Sequence, residues 1–259
     1  MKLIQSRDNP FFKSLKRLAE SGRERRKTGL TLLDGVHLVE AYEAAFGPVD
    51  TLIVAESAQA GGEVAEFVKG REIVALADGL MRDLGLVDTP SGLLAQIRTP
   101  SANATVNRKK DAILLDGVQD PGNVGTLLRT AAAAGIGQAL LSPGCAAAWS
   151  PKVLRAGQGA HFALAIHEEC DLLGFMAGFE GTTAVTCLEG ATSLYAAKLD
   201  GPIAWVFGAE GQGVRTELIE AAGLRVKIPM PGAVESLNVA AAAAVCLFEM
   251  VRRRVMAVH

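Results

Sequence analysis

Residues 228–245 read IPMPGAVESLNVAAAAAV, and the parsing of this stretch decides what kind of fold the chain can have. An apolar strand end runs into a loop punctuated by Pro229, Pro231 and Gly232. Ser236 stands where an N-cap would precede the apolar run. Asn238 then falls in the first helical turn, where backbone N–H groups lack partners. Ala240–Ala244 combine high helix propensity with minimal bulk, so another backbone segment can approach this helix closely. Two readings remain open on spacing alone: an ordinary βα turn before a buried helix, or a turn that holds a polar ligand. Both require an α/β unit.

Working outward, the same alternation continues. DAILLDGV (111–118) is an apolar strand, and DPGNVG (120–125) leads into a helix over TLLRTAAAA (126–134) that stops at Gly135 and Gly137. ALLS (139–142) is a strand, and SPKVLRA (150–156) is a helix opened by Ser-Pro. TAVTCL (183–188), PIAWVFG (202–208) and LRVKIP (224–229) supply further strands. Short apolar strands alternating with helices predict a mostly parallel sheet with helices on both faces.

The first hundred residues form a second alternating block. Residues 9–20 space Phe12, Leu15 and Leu18 as the apolar stripe of a helix with a basic face. SGRERRKTG (21–29) reads as a charged loop, followed by strands at 30–35, 51–55 and 71–76 and helices at 36–47, 61–70 and 78–86. SGLLAQIR (91–98) closes the block as a strand. TPSANATVNRKK (99–110) is small, polar and without hydrophobic period. The expected organisation is therefore residues 1–100 as a small α/β domain, 101–110 as linker and 111–259 as the larger domain.

With 49% apolar and 21% charged residues, the 259-residue chain has the composition of a soluble globular protein. No run approaches the roughly 20 apolar residues of a membrane span, and MKLIQSRDNPFFKSLKR lacks a signal-like apolar region, so a cytoplasmic location is expected. Cys145, Cys170, Cys187 and Cys246 stand far apart, which argues against a disulfide framework or a thiolate zinc site. His167 and Cys170 alone make too small a set for a metal, and none is expected. Charge is segregated: residues 1–30 hold nine Lys/Arg against three Asp/Glu, a net of +6, while the remainder carries −8. Lys13, Lys16, Arg17, Arg23, Arg25, Arg26 and Lys27 within this arm suit either an RNA phosphate backbone or a solvated helix face.

Two further segments carry polar groups at strand–helix junctions. In DPGNVGTLLR (120–129), Asp120 or Asn123 can cap the helix and Arg129 lies about a turn and a half inside it. Such an arginine either grips an anion or is an exposed surface charge. In VFGAEGQGV (206–214), Gly208, Gly211 and Gly213 surround Glu210. Their order reverses the dinucleotide fingerprint, and the next strand ends without an acidic residue, so a hydride-transfer enzyme is poorly supported.

Together NVGTLLR, VFGAEGQGV and IPMPGAVESLNVAAAAAV resemble, in order and spacing, the three signature motifs of the SpoU (TrmH) branch of the SPOUT RNA methyltransferases. Residues 1 to about 100 resemble the L30e-like RNA-binding domain that often precedes this unit, with LTLLDGVHLVEA replacing its usual glutamate-bearing turn. The resemblance implies transfer of a methyl group from S-adenosylmethionine to a ribose 2′-hydroxyl of RNA by a homodimer whose sheet ends in a trefoil knot. It implies Asn123, Arg129, Glu210, Ser236 and Asn238 in ribose-directed chemistry. Gly208, Gly211, Ile228, Met230 and Leu237 would lie at the cofactor. The favoured target is 23S ribosomal RNA; transfer RNA, or an inactive RNA-binding assembly factor, are the alternatives.

The family assigns Arg129 as base, but a guanidinium hardly deprotonates, so a phosphate or alkoxide anchor is equally expected. RAGQGAHF (155–162) departs from a pattern like RASAGA, losing a serine near the substrate, and Val214 replaces a common leucine. Lys152 and Arg155 either touch RNA or are solvated.

Overall fold

The computed structural model describes residues 2–86, 90–100, 105–187, 190–234 and 236–256; part of the expected linker (101–104) and Glu235 of the C-terminal motif lie outside them. The chain divides into two compact units, Met1–Ser101 with Trp149–Phe162, and Ala102–Ala148 with Ala163–His259. The segment 149–162, placed by sequence in the larger domain, thus packs with the first unit.

That unit is built on five strands, β1 (Lys2–Ile4), β2 (Leu30–Asp34), β3 (Thr51–Ala55), β4 (Ile73–Leu76) and β5 (Leu93–Arg98), in the order β1-β4-β3-β5-β2. β1, β4 and β3 run parallel, and β5 is antiparallel to both its neighbours. Successive side chains point to opposite faces. Leu32, Ile53, Leu76 and Leu94 accordingly meet Phe12, Leu15 and Leu18 of α1 (Pro10–Glu20) on one face, while Leu33, Val54, Leu93 and Ala95 meet Val36 and Val39 of α3 (Val36–Phe46) on the other.

The expected loop at 21–29 is instead a helix, α2 (Gly22–Thr28). The Ser21 hydroxyl accepts the Glu24 N–H at 3.1 Å, and Gly29 closes the helix in the left-handed region at φ 66°. Ser-x-x-Glu followed by a terminal glycine was the available signal, obscured by five intervening charges and one threonine without an apolar stripe. β1, too short to show a period, also escaped the sequence reading. The first unit is completed by α4 (Gly62–Phe67), α5 (Asp78–Asp83) and, from the distant segment, α7 (Pro151–Gly157), whose Leu154 enters the α3-side core.

Seven parallel strands form the second unit: β6 (Ala112–Asp116), β7 (Gln138–Leu141), β8 (Ala165–His167), β9 (Thr182–Thr186), β10 (Thr192–Ser193), β11 (Ile203–Gly208) and β12 (Leu224–Lys227), ordered β10-β12-β9-β11-β6-β7-β8. Every residue of β6 and β11 is buried, the continuous apolar pattern of parallel strands covered on both faces. α6 (Pro121–Ala133) packs against α10 (Val239–Met256), where buried Ala240 and Ala243 present little bulk. α8 (Leu172–Ala177) and α9 (Thr216–Ala221) pack against each other. Among the described residues no helix is long and apolar enough to cross a membrane.

Candidate active site

The carboxyl ends of parallel strands are where open α/β sheets bind ligands, and the three motifs emerge there. β6 and β11 are adjacent, with Asp116 in register with Gly208, so the α6 entrance and the Glu210 loop start side by side. β12 delivers the third motif, which crosses the α10 entrance and continues into that helix.

The α6 entrance is fixed by Asp120, whose Oδ1 accepts the Asn123 N–H at 2.7 Å, and by Pro121 at the first helical position. This places the Asn123 side chain in the first turn, where its Nδ2 donates to Glu210 Oε1. A carboxylate can only accept, which fixes the amide orientation and leaves Asn123 Oδ1 as an acceptor. Asn238 Nδ2 donates to it at 3.0 Å. One residue from each motif therefore enters a single chain, Asn238 to Asn123 to Glu210.

Asn238 has a second task. Its Oδ1 accepts the N–H of Ala240 at 2.9 Å and of Ala241 at 3.3 Å, and its carbonyl accepts Ala242 N–H. Asn238, rather than the expected Ser236, is thus the N-cap of α10, because the helix starts at Val239 and only an oxygen immediately before it reaches the orphan N–H groups. Ser236 instead lines a cavity.

That cavity, of about 620 Å³, is bounded by the ends of β9 and β12, by Gln212, Gly213, Val214 and Thr216 after β11, and by Ile228, Met230, Ser236 and Leu237 of the third motif. Its lining combines apolar Val214, Ile228 and Leu237 with polar and charged Gln212, Glu220, Arg225 and Lys227, a mixture that suits a small organic ligand with both kinds of surface. Of the five residues expected at a cofactor, Ile228, Met230 and Leu237 line this space, whereas Gly208 and Gly211 do not. Gly208 has another reason to lack a side chain: a Cβ there would overlap the backbone of Gly213 and Val214. Gly213 N–H donates back to Ala209 O at 2.8 Å, so the Glu210 loop folds tightly onto its own strand.

Arg129 is exposed, six residues beyond Asn123 on α6, and makes no hydrogen bond or ion pair among the described residues. The fold does not bring it or Ser236 into the Asn238–Asn123–Glu210 chain. The sequence reading missed Asp116. Buried at 3% exposure, it accepts Arg215 Nε at 2.8 Å and Arg215 N–H at 3.0 Å. An acidic residue closing an apolar parallel strand was the signal.

Burial pushes Cys246 up to about 12 and raises Cys145 and Cys170. No group of three metal-ligating side chains occurs among the described residues.

In the first unit, the basic arm separates into free and engaged charges. Arg23, Arg26 and Lys27 are exposed and unpaired among the described residues. Lys13 pairs with Asp8 at 2.8 Å, and Lys16 and Arg17 sit 3.8 and 3.9 Å from Glu20 and Glu24. Arg25 corrects the expectation of an RNA-facing side chain: at 9% exposure, its Nη1 donates to Leu18 O at 2.6 Å and Ala19 O at 3.1 Å, satisfying carbonyls at the end of α1. Arg155 is likewise engaged, 3.1 Å from Asp34 Oδ1. Burial raises the Asp34 carboxyl despite hydrogen bonds from Ser91 and the nearby Arg155 charge. Lys152 is exposed.

The sequence model of the SpoU rRNA Methylase family matches residues 111–248, and that of the MRM3-like substrate binding domain matches residues 9–95. The chain is 32% identical over 253 residues to the 23S rRNA (guanosine(2553)-2′-O)-methyltransferase RlmP of Bacillus subtilis (strain 168), covering 96% of this chain and 99% of that one. A crystal structure of an RNA 2′-O ribose methyltransferase superposes with a TM-score of 0.83 at 28% identity, covering 98% and 99% of the two chains. An AdoMet-bound rRNA methyltransferase from Sinorhizobium meliloti does so with a TM-score of 0.81 at 25% identity, over 97% and 98%. With the three motifs gathered at one sheet edge and both halves matched, the chain belongs to the SpoU family of RNA methyltransferases.

Proposed function

We propose that this protein transfers the methyl group of S-adenosylmethionine to a ribose 2′-hydroxyl of 23S ribosomal RNA. The observation that carries the reading is the Asn238–Asn123–Glu210 chain, adjoining the cavity lined by Ile228, Met230, Ser236 and Leu237. The cavity accommodates an adenosine with its methionine tail: Val214, Ile228 and Leu237 offer apolar surface, and Gly213 and Ser236 leave room for polar atoms. When bound, the cofactor supplies an electrophilic methyl group on a sulfonium.

A ribose hydroxyl is a poor nucleophile that must lose its proton as it attacks, and it must be held in line at near-attack distance. The amide–carboxylate chain is suited to holding the ribose, because its groups orient one another and resist rotation. Arg129, with no hydrogen bond or ion pair among the described residues, meets the target phosphate or the charge growing on the 2′-oxygen. Arg23, Arg26 and Lys27 take RNA phosphates in the first unit. RlmP, named for 23S rRNA, supports ribosomal RNA as the target. We place the active form as a homodimer with a knotted C-terminal sheet; exposed Phe248, Val255 and Met256 on α10 support a covered helix face.

The test is to incubate the purified protein with radiolabelled S-adenosylmethionine and separated 23S rRNA and tRNA, then map the labelled nucleotide by nuclease digestion. Label at one 2′-oxygen of 23S rRNA is expected. Label confined to tRNA moves the substrate, and no label in either pool overturns the reading.

A further inference from the structure

Asp116 ends β6 with its carboxylate buried and both oxygens occupied. Oδ2 accepts the Arg215 N–H at 3.0 Å; Oδ1 accepts Arg215 Nε at 2.8 Å and lies 3.3 Å from the Ser142 hydroxyl. The Asp116 side chain is 3% exposed while that of Arg215 is 61% exposed, so the guanidinium caps the buried charge from the solvent side. Leaving that carboxylate uncompensated would be costly.

What the pair holds follows from the chain path. Asp116 is the sheet partner of Gly208, where the Glu210 loop departs, and the ion-pair partner of Arg215, where that loop ends. One residue therefore defines both ends, its backbone through the strand register at Gly208 and its side chain through Arg215, of a glycine-rich excursion that would otherwise sample many conformations. Between the ends, Glu210 accepts from Asn123, and Gln212, Gly213 and Val214 form one wall of the cavity. The loop thus serves both halves of the site at once.

We propose that Asp116 and Arg215 are positioning residues: their ion pair clamps the 209–214 loop so that Glu210 and the cavity wall are held in mutual register. The pair touches none of the reacting groups and acts through the loop. This role rests on the methyl-transfer reading for its consequence in catalysis, but not for its consequence in loop order.

Arg215→Met removes the charge from an exposed position without opening a core cavity, and Arg215→Lys restores the charge alone. Wild type, both variants and Asp116→Asn are compared by amide hydrogen exchange of residues 209–215, by calorimetric titration with S-adenosylmethionine, and by kcat and KM on 23S rRNA. In Arg215→Met, exchange at Gly213 and Arg215 should accelerate about tenfold as local opening becomes easier. Cofactor affinity should fall about tenfold and kcat by up to about 100-fold, because small misplacements are amplified in turnover, with KM for RNA unchanged. Arg215→Lys should recover part of each. Unchanged exchange in Arg215→Met overturns the clamp whatever the ligand does. Faster exchange with wild-type affinity and kcat reduces the pair to a structural ion pair, also overturning the proposal. A wild-type protein that binds no S-adenosylmethionine defeats the methyl-transfer reading instead, and the exchange data still decide the clamp.

Discussion

Asn238 Nδ2 lies 3.0 Å from Asn123 Oδ1, a hydrogen bond between residues 115 positions apart that joins the cap of α10 to the first turn of α6. Because the same Asn238 side chain caps α10 through its Oδ1, helix start and site geometry are coupled. Asn238→Asp separates the two roles: it keeps the capping oxygen and loses the donor to Asn123. We expect it to melt near wild type but to transfer methyl groups at least tenfold more slowly. Asn238→Ala should in addition lose about 1 kcal/mol of stability, the usual worth of such a cap. Thermal melts beside single-turnover methylation distinguish the two, and equal rates in all three proteins would remove Asn238 from the site.

Arg129 is exposed and makes no hydrogen bond or ion pair among the described residues. Arg129→Ala should bind S-adenosylmethionine with wild-type affinity and fold normally, yet lower kcat on 23S rRNA by about 100-fold or more, as expected when charge stabilisation at a reacting oxygen is removed. Titration calorimetry with initial-rate measurements reads both quantities. Near wild-type turnover would exclude the arginine from the reaction.

The basic arm predicts a split among neighbouring arginines. Replacing Arg23, Arg26 and Lys27 with glutamine should weaken RNA binding and make its dependence on log[salt] shallower, by up to about 2–3 in slope for three lost phosphate contacts. Arg25→Gln should leave that slope alone and lower the melting temperature, since its guanidinium serves the carbonyls of Leu18 and Ala19. Filter binding across a salt series, paired with melts, tests both halves.

Gly208→Ala would force its new methyl into the Gly213–Val214 backbone. Backbone cannot swing aside as a flexible side chain can, so we expect a loss of about 1–3 kcal/mol together with weaker cofactor binding. Denaturant melts and titration calorimetry report it; wild-type values in both would mean that the loop does not cross its strand this closely.

Glu249 sits between Arg252 and Arg253 on α10, at 2.8 and 2.6 Å. Hydrogen bonds from Arg252 and then Arg253, with their charges, hold its carboxyl down at about 2, against an ordinary 4.5. A lowered carboxyl contributes stability that is present above the unfolded value and lost as pH falls through the folded one. The stability gap between wild type and Glu249→Gln should therefore be full at pH 7 and shrink between about pH 4.5 and 2. Melts across that range check it, and a gap independent of pH would show that the carboxylate charge contributes nothing.

Much of this architecture was legible in local pattern. Leu32 and Leu33 point to opposite cores because neighbouring strand residues must, and Ser150-Pro151 opens α7 because proline's missing N–H costs nothing at a first helical position. α2 was hidden because a short polar helix has caps but no apolar stripe. Arg25 was misread because charge in a sequence does not say which carbonyls lie within reach.

The sequence by itself determined the order of strands and helices, the continuous apolar runs that bury a parallel sheet on both faces, and the three polar segments at strand–helix junctions, since each depends on spacing between near neighbours. Only the tertiary structure decided that Asp116 lies beside Gly208, that Asn238 reaches Asn123 and that residues 149–162 pack with the first unit. Those relationships depend on which distant strands become neighbours in the sheet, which no local period encodes. The site is therefore a property of strand order, with Glu210, Asn123 and Asn238 meeting because β11, β6 and the α10 entrance open at the same edge.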